Sequence, residues 1–132
     1  MTHPIDAWHA LAKARNPRAL AALLADDVVF HSPVVHTPQR GRALATQYLS
    51  AALMILGNES FRYVREVRGA HDAALEFELE LDGVQVNGVD LIRWNEADRI
   101  DDFKVMIRPL KAIQAVQQKM AELLAQMQQQ QQ

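Results

Sequence analysis

One carboxylate in this 132-residue chain occupies a position where a carboxylate is costly. Asp90 lies in "VNGVDLIRWNE", residues 86–96, among valine, leucine, isoleucine and tryptophan in a run that reads as a buried strand. A carboxylate so surrounded must be paired, hydrogen-bonded or protonated. Protonated, it can donate a hydrogen bond to a substrate oxygen or give up its proton. The plainer reading is a structural acid satisfied by a local donor. Candidate bases come from the five histidines: His3, His9, His31, His36 and His71. Histidine titrates near neutrality, which suits general base work. His31, Ser32 and His36 cluster in "FHSPVVHTP", and His9 sits in "PIDAWHALAKAR". Strand alternation lets only one of His31 and Ser32 face inward. Solvated loop or rim histidines are the plainer reading here too. His9, His36 and Asp90 match no metal-ligand spacing, and no phosphate loop, dinucleotide fingerprint or serine-hydrolase elbow is present, so neither metal nor cofactor is expected.

Residues 4–15 have Ile5, Trp8, Leu11 and Ala12 at helical spacing. In "NPRALAALLADD", residues 16–27, Asn16 suits an N-cap and Pro17 the first helical position. "VVFHSP", residues 28–33, is a short β-rich run ended by Pro33. A third helix is expected over 40–56, with Gly57 closing it and Leu44, Tyr48, Leu49 and Leu53 as its buried stripe. Residues 59–69 are β-rich. Residues 72–83 alternate strictly, Ala73, Leu75, Phe77, Leu79 and Leu81 on one face and acids on the other. Residues 84–94 and 99–109 make two more strands around "NEAD". A last helix starts at Pro109, with Leu110, Ile113, Val116, Met120, Leu123 and Met127 as its stripe. One domain over 1–127 is expected, followed by the glutamine tract 128–132.

Helices beside a run of antiparallel strands mean α+β. The economical arrangement is a curved antiparallel sheet forming a cone, with N-terminal helices packed in its concave face and a C-terminal helix. The wide part of such a cone is hard to fill, so a cavity is plausible. Asp90 shares its strand face with Val86, Gly88, Ile92 and Trp94. Phe30, Tyr48, Phe61, Phe77, Ile92, Trp94, Phe103, Val105 and Ile107 are expected on inward faces, with Ser32 beside them. They are read either as pocket lining or as ordinary core.

Apolar residues at 49% and charged residues at 23% are ordinary for a globular domain. With 14 Lys+Arg against 16 Asp+Glu, the net charge of −2 offers no footprint for nucleic acid. Without cysteine, disulfides, thiolate metal sites and cysteine nucleophiles are excluded. No apolar run approaches the roughly 20 residues that span a bilayer, so no membrane partner is expected. The N-terminal stretch lacks a signal-peptide pattern, which makes a cytoplasmic location the expectation.

On "LADDVVFHSP", "GRALATQYL" and "GVDLIRWNEADRIDDFKV", the chain resembles a nuclear-transport-factor-2-like domain of the SnoaL-like (polyketide cyclase, ketosteroid-isomerase-like) group. The resemblance covers nearly the whole chain. It implies the cone fold; for function it leaves isomerases, cyclases, dehydratases, epoxide hydrolases and pure binders open. In the ketosteroid-isomerase pattern, Asp90 falls on the acid kept neutral to donate a hydrogen bond. Ser32 falls on the general-base aspartate, and His9 on or near the oxyanion-hole tyrosine. One catalytic position of three is kept, so His36 or His9 would have to serve as base. The epoxide-hydrolase pattern needs an arginine two residues before the strand aspartate, where this chain has Gly88.

The expected activity is therefore proton transfer on a small apolar carbonyl compound, as isomerase, cyclase or dehydratase and without a cofactor. The alternatives are a noncatalytic ligand binder and a dimeric interaction module. A homodimer through the outer sheet face, carrying Val64, Leu91 and Met106, is expected, and the resemblance implies the same.

Overall fold

The computed structural model describes residues 2–130; Gln131 and Gln132, the end of the glutamine tract, lie outside the described residues. Helix α1 (Pro4–Ala14) starts where the Ile5 N–H donates to His3 Nδ1, with Pro4 at its first position. It buries Ile5, Trp8 and Leu11 and stops at Arg15, which is left-handed with φ 53°. Asn16 then accepts from the Arg18 N–H and opens a single 3-10 turn, Pro17–Ala19.

The helix expected over residues 16–27 is cut to one turn, α2 (Leu20–Leu23). From Leu24 the chain is already strand β1 (Leu24–His31), four residues before the β-rich run begins. Pairing overrides propensity here: β1 docks parallel to β6, with Leu24 opposite Ile100 and Phe30 opposite Phe103. A two-residue strand β2 (Gln39–Arg40), not expected from the pattern, pairs antiparallel with β1. Helix α3 (Arg42–Leu56) buries Ala45, Leu49, Ala52 and Leu56 and leaves Leu44 39% exposed. The buried stripe is thus turned toward the small alanines, which let α3 lie close on β1.

Strands β3 (Arg62–Arg68), β4 (Asp72–Leu81), β5 (Val84–Trp94) and β6 (Ile100–Arg108) follow as antiparallel neighbours. The full order β2-β1-β6-β5-β4-β3 gives one curved, open, six-stranded sheet, mixed only at the β1–β6 pair. Leu75, Asp90 and Val105 stand side by side on β4, β5 and β6. Their face joins Phe30, Phe77, Ile92 and Phe103 in one core with α1 and α3. Helix α4 (Leu110–Gln130) packs on α3, β4, β5 and β6, buries Ala112, Val116 and Met120, and runs into the glutamine tract. On the opposite face Val67 is 64% and Met106 49% exposed, with Val89 and Leu91 between their strands. Val64 sits at a register break between Tyr63 and Arg65.

Candidate functional site

Asp90 points to the inner face because β5 keeps strict alternation from Val86 to Trp94. Only 6% of it is exposed. Among the described residues no cation pairs with it. Its Oδ2 accepts from the Tyr63 hydroxyl at 2.6 Å, and the Tyr63 oxygen in turn accepts from the Trp8 indole N–H at 2.8 Å. Tyr63 comes from β3, opposite Phe77, and Trp8 from the buried stripe of α1. Burial pushes the Asp90 carboxyl up to about 7, and the Tyr63 hydrogen bond only partly opposes this. The Tyr63 hydroxyl is driven well above its ordinary value by burial and by the Asp90 charge beside it. The carboxyl is therefore poised between protonated and ionised near neutrality.

A small space of about 40 Å³ opens at Asp90. Trp8 and Ala12 of α1 and Leu49, Ala52, Leu53 and Leu56 of α3 close one side; Phe61, Tyr63, Phe77, Phe103 and Val105 close the other. Trp8 meets Phe103 edge to face at 4.8 Å, and Phe61 stacks on Phe77 at 5.3 Å. The β5 backbone is drawn tight against this wall. A Cβ on Gly88 would strike Phe77 Cζ and lie 2.7 Å from the Met106 carbonyl oxygen. That close approach is why the position holds glycine. A wider space of about 310 Å³ adjoins the first, sharing Ala12, Gly57, Phe61 and Tyr63 with it.

Of the residues expected to line a pocket, Phe61, Phe77, Phe103 and Val105 surround Asp90. Phe30, Ile92 and Trp94 face inward too but are packed elsewhere in the core, Phe30 6.1 Å from the Phe103 ring and Trp94 5.0 Å from that of His3. Alternation fixes the face of a side chain, not its depth along the strand. Tyr48 packs at the core margin. Ile107 borders open grooves instead. Ser32 uses its hydroxyl to accept from the Val34 N–H.

His36 is exposed on the loop after β1 and borders a separate depression with His31, Ser32 and Lys104. It is therefore not brought together with Asp90, whose space it does not line. His31 pairs with Asp102 at 3.1 Å on the outer sheet face. His9 lies at the mouth of the wider space. Its Nε2 is 2.6 Å from Glu66 Oε1, and its ring meets the edge of Tyr63 at 5.1 Å. Glu66 also accepts from Arg68, which reaches on to Asp6 at 2.7 Å. Partial burial pulls the Glu66 carboxyl upward, but the His9 and Arg68 hydrogen bonds outweigh it and hold the group below its usual range. With Nε2 facing that carboxylate, Nδ1 is the ring nitrogen left without a hydrogen-bond partner among the described residues.

Tyr63 and Trp8 are the site residues that sequence reasoning missed. The signal for Tyr63 was its place two residues after Phe61; the charged neighbours Arg62, Arg65, Glu66 and Arg68 hid the inward face. Among the described residues no group of three or more His, Asp and Glu side chains is placed to hold a metal ion, and no helix is long and apolar enough to cross a membrane.

A family model for the SnoaL-like domain matches residues 5–103. A solved steroid delta-isomerase from Pseudomonas aeruginosa is similar, with 34% identity over 93% of this chain and 90% of that one and a TM-score of 0.88. An uncharacterised bacterial protein with a cystatin-like fold, from Silicibacter pomeroyi DSS-3, has 32% identity over 90% of this chain and 83% of that one, TM-score 0.84. SalBIII, an epoxide hydrolase/cyclase-like enzyme of pyran ring formation in salinomycin, shares the fold, with 16% identity over 80% of this chain and 88% of that one and a TM-score of 0.64. No curated protein matches the sequence.

Proposed function

The chain belongs to the SnoaL-like domain family, and from that premise we propose that it catalyses proton transfer on a small carbonyl compound without a cofactor. The observation that carries this reading is the buried Asp90, held by the neutral Tyr63 hydroxyl and near half protonation at neutral pH. Its Oδ2 is taken by Tyr63. A proton on Oδ1 can therefore be donated to a carbonyl oxygen in the apolar space. As a base removes the proton on the carbon next to that carbonyl, negative charge grows on the oxygen and strengthens the Asp90 hydrogen bond. His9 Nδ1 is the base we assign: the C–H bond breaks, an N–H bond forms, and the proton returns to another carbon in an isomerisation. Ser32 lacks the basicity for this step. Similarity at 34% identity to a protein described as a steroid delta-isomerase supports an isomerase over a pure binder.

Carbon-13 NMR titration of the Asp90 carboxyl, paired with turnover of simple β,γ-unsaturated ketones, tests the reading. A titration near 7 and a loss of about 10²-fold or more in Asp90→Asn are expected. A carboxyl that titrates near 4 would remove Asp90 from the chemistry.

For the outer sheet face we propose a second copy of the chain as partner, because Val67 and Met106 are exposed there. A monomer by light scattering at micromolar concentration would end that proposal.

A further inference from the structure

The space beside Asp90 is too small for a whole ligand. About 40 Å³ takes a carbonyl group and little more, whereas ordinary small-molecule pockets run to roughly 300–1,000 Å³. The body of a substrate must then lie in the adjoining space of about 310 Å³, which shares the lining residues Ala12, Gly57, Phe61 and Tyr63 with the first. That outer space lies between the end of α1, the end of α3 and the start of β3, and its polar rim is cationic. Lys13, Arg15 and Arg62 line it with Asn58 and the Glu66-paired His9, and among the described residues no carboxylate does. Arg62 is committed to Glu78 at 2.8 Å. Lys13 and Arg15 form no ion pair among the described residues. Arg15 is held at the rim by its left-handed cap conformation, with its stem beside Gly57.

We propose that the substrate is an amphipathic acid, its reacting carbonyl at Asp90 and a carboxylate at its far end against Lys13 and Arg15. This deepens the proton-transfer reading and rests on it. The competing explanation for the two cations is the α1 helix dipole, whose negative end favours basic residues in the last turn. That explanation ties Lys13 and Arg15 to stability alone and gives them no part in ligand choice.

The test is calorimetric titration of the full chain with 8-oxononanoate, a methyl ketone with a terminal carboxylate, and with its methyl ester. The acid is expected to bind about 10-fold tighter than the ester at low salt. The double variant Lys13→Gln/Arg15→Gln should bind both probes equally, with the ester affinity of the parent, and about 0.5 M NaCl should erase the parent's preference. Asp90→Leu should weaken both probes by a similar factor. Equal binding of acid and ester to the parent, with the Asp90→Leu effect intact, would overturn the acid inference and leave the proton-transfer site standing. Binding indifferent to Asp90→Leu, or no binding of either probe, would overturn both.

Discussion

Helix α1 and strand β3 meet at two levels. Inside, Trp8 and Tyr63 pass a line of neutral donors to Asp90. One residue on along the helix and three along the strand, His9 and Glu66 meet outside, with Arg68 and Asp6 beside them. Both clusters centre on carboxylates, yet those carboxylates move in opposite directions. Asp90 is pushed up to about 7 because burial penalises its charge and the Tyr63 O–H compensates only in part. Asp6 is lowered first by its hydrogen bond to Arg68, and Glu66 stays low despite its partial burial because His9 and Arg68 face it. The kind of donor and the loss of water decide the outcome, not the residue type. The inner cluster stores a proton; the outer one holds fixed charge and orients an imidazole.

The largest expected effect of that difference is on the pH dependence of stability. Between the ordinary carboxylate range and about 7, native Asp90 keeps a proton that the unfolded chain has released. Stability should therefore fall as pH rises through that window and level off above it. From 3.8 to about 7 the fall is on the order of 4 kcal/mol. Asp90→Asn should abolish the slope and be the more stable protein at pH 8, since the amide oxygen can still accept from Tyr63. Tyr63→Phe should act the other way. It removes a hydrogen bond that favours the ionised form, so the falling limb should extend above 7. It also strands the Trp8 N–H, at about 1–3 kcal/mol throughout. Urea titrations of the three proteins from pH 4 to 9 test this as one set. A flat curve for the parent would mean that Asp90 ionises freely, and the contrast between the clusters would be lost.

The sequence announced the inner acid more clearly than its partners. Asp90 stood out because β5 alternates without interruption and its other inward residues are apolar or glycine. The clean alternation of β4 made the core face readable in the same way. Tyr63 was hidden because β3 is an edge strand whose period breaks at Val64, so its charges read as one solvated face. The start of β1 was missed because "LLAD" favours helix locally, and only the parallel pairing with β6 makes it strand. His36 lies in a loop that the pattern puts near the cavity mouth, but the path that takes it to a separate depression is set by tertiary packing. His9 was placed by resemblance rather than by pattern. Its Glu66 partner lies 57 residues away, and no local signal joins them.

The smallest expected effect belongs to the outer cluster, and it has the opposite sign. The His9 and Glu66 side chains are 33% and 29% exposed, so solvent screens their pairing and removing it should change stability by no more than about 1 kcal/mol. Being lowered, Glu66 stabilises the fold above the ordinary carboxylate range and loses that contribution as pH falls through its own titration. Glu66→Gln should thus flatten only the acid limb, at and below the foot of the window governed by Asp90, and its effect should fade at high salt. A glutamine holds the His9 Nε2 proton more weakly than a carboxylate does, so Nδ1 becomes a poorer and less well aimed base. Turnover should drop by about tenfold or more, while the Asp90 titration stays near 7 because Tyr63 is untouched. Unchanged turnover in Glu66→Gln would remove His9 from the mechanism and leave Asp90 to serve as its own base. A stability loss of several kcal/mol would mean that the two clusters are one network, coupled through the His9 ring lying edge-on to Tyr63.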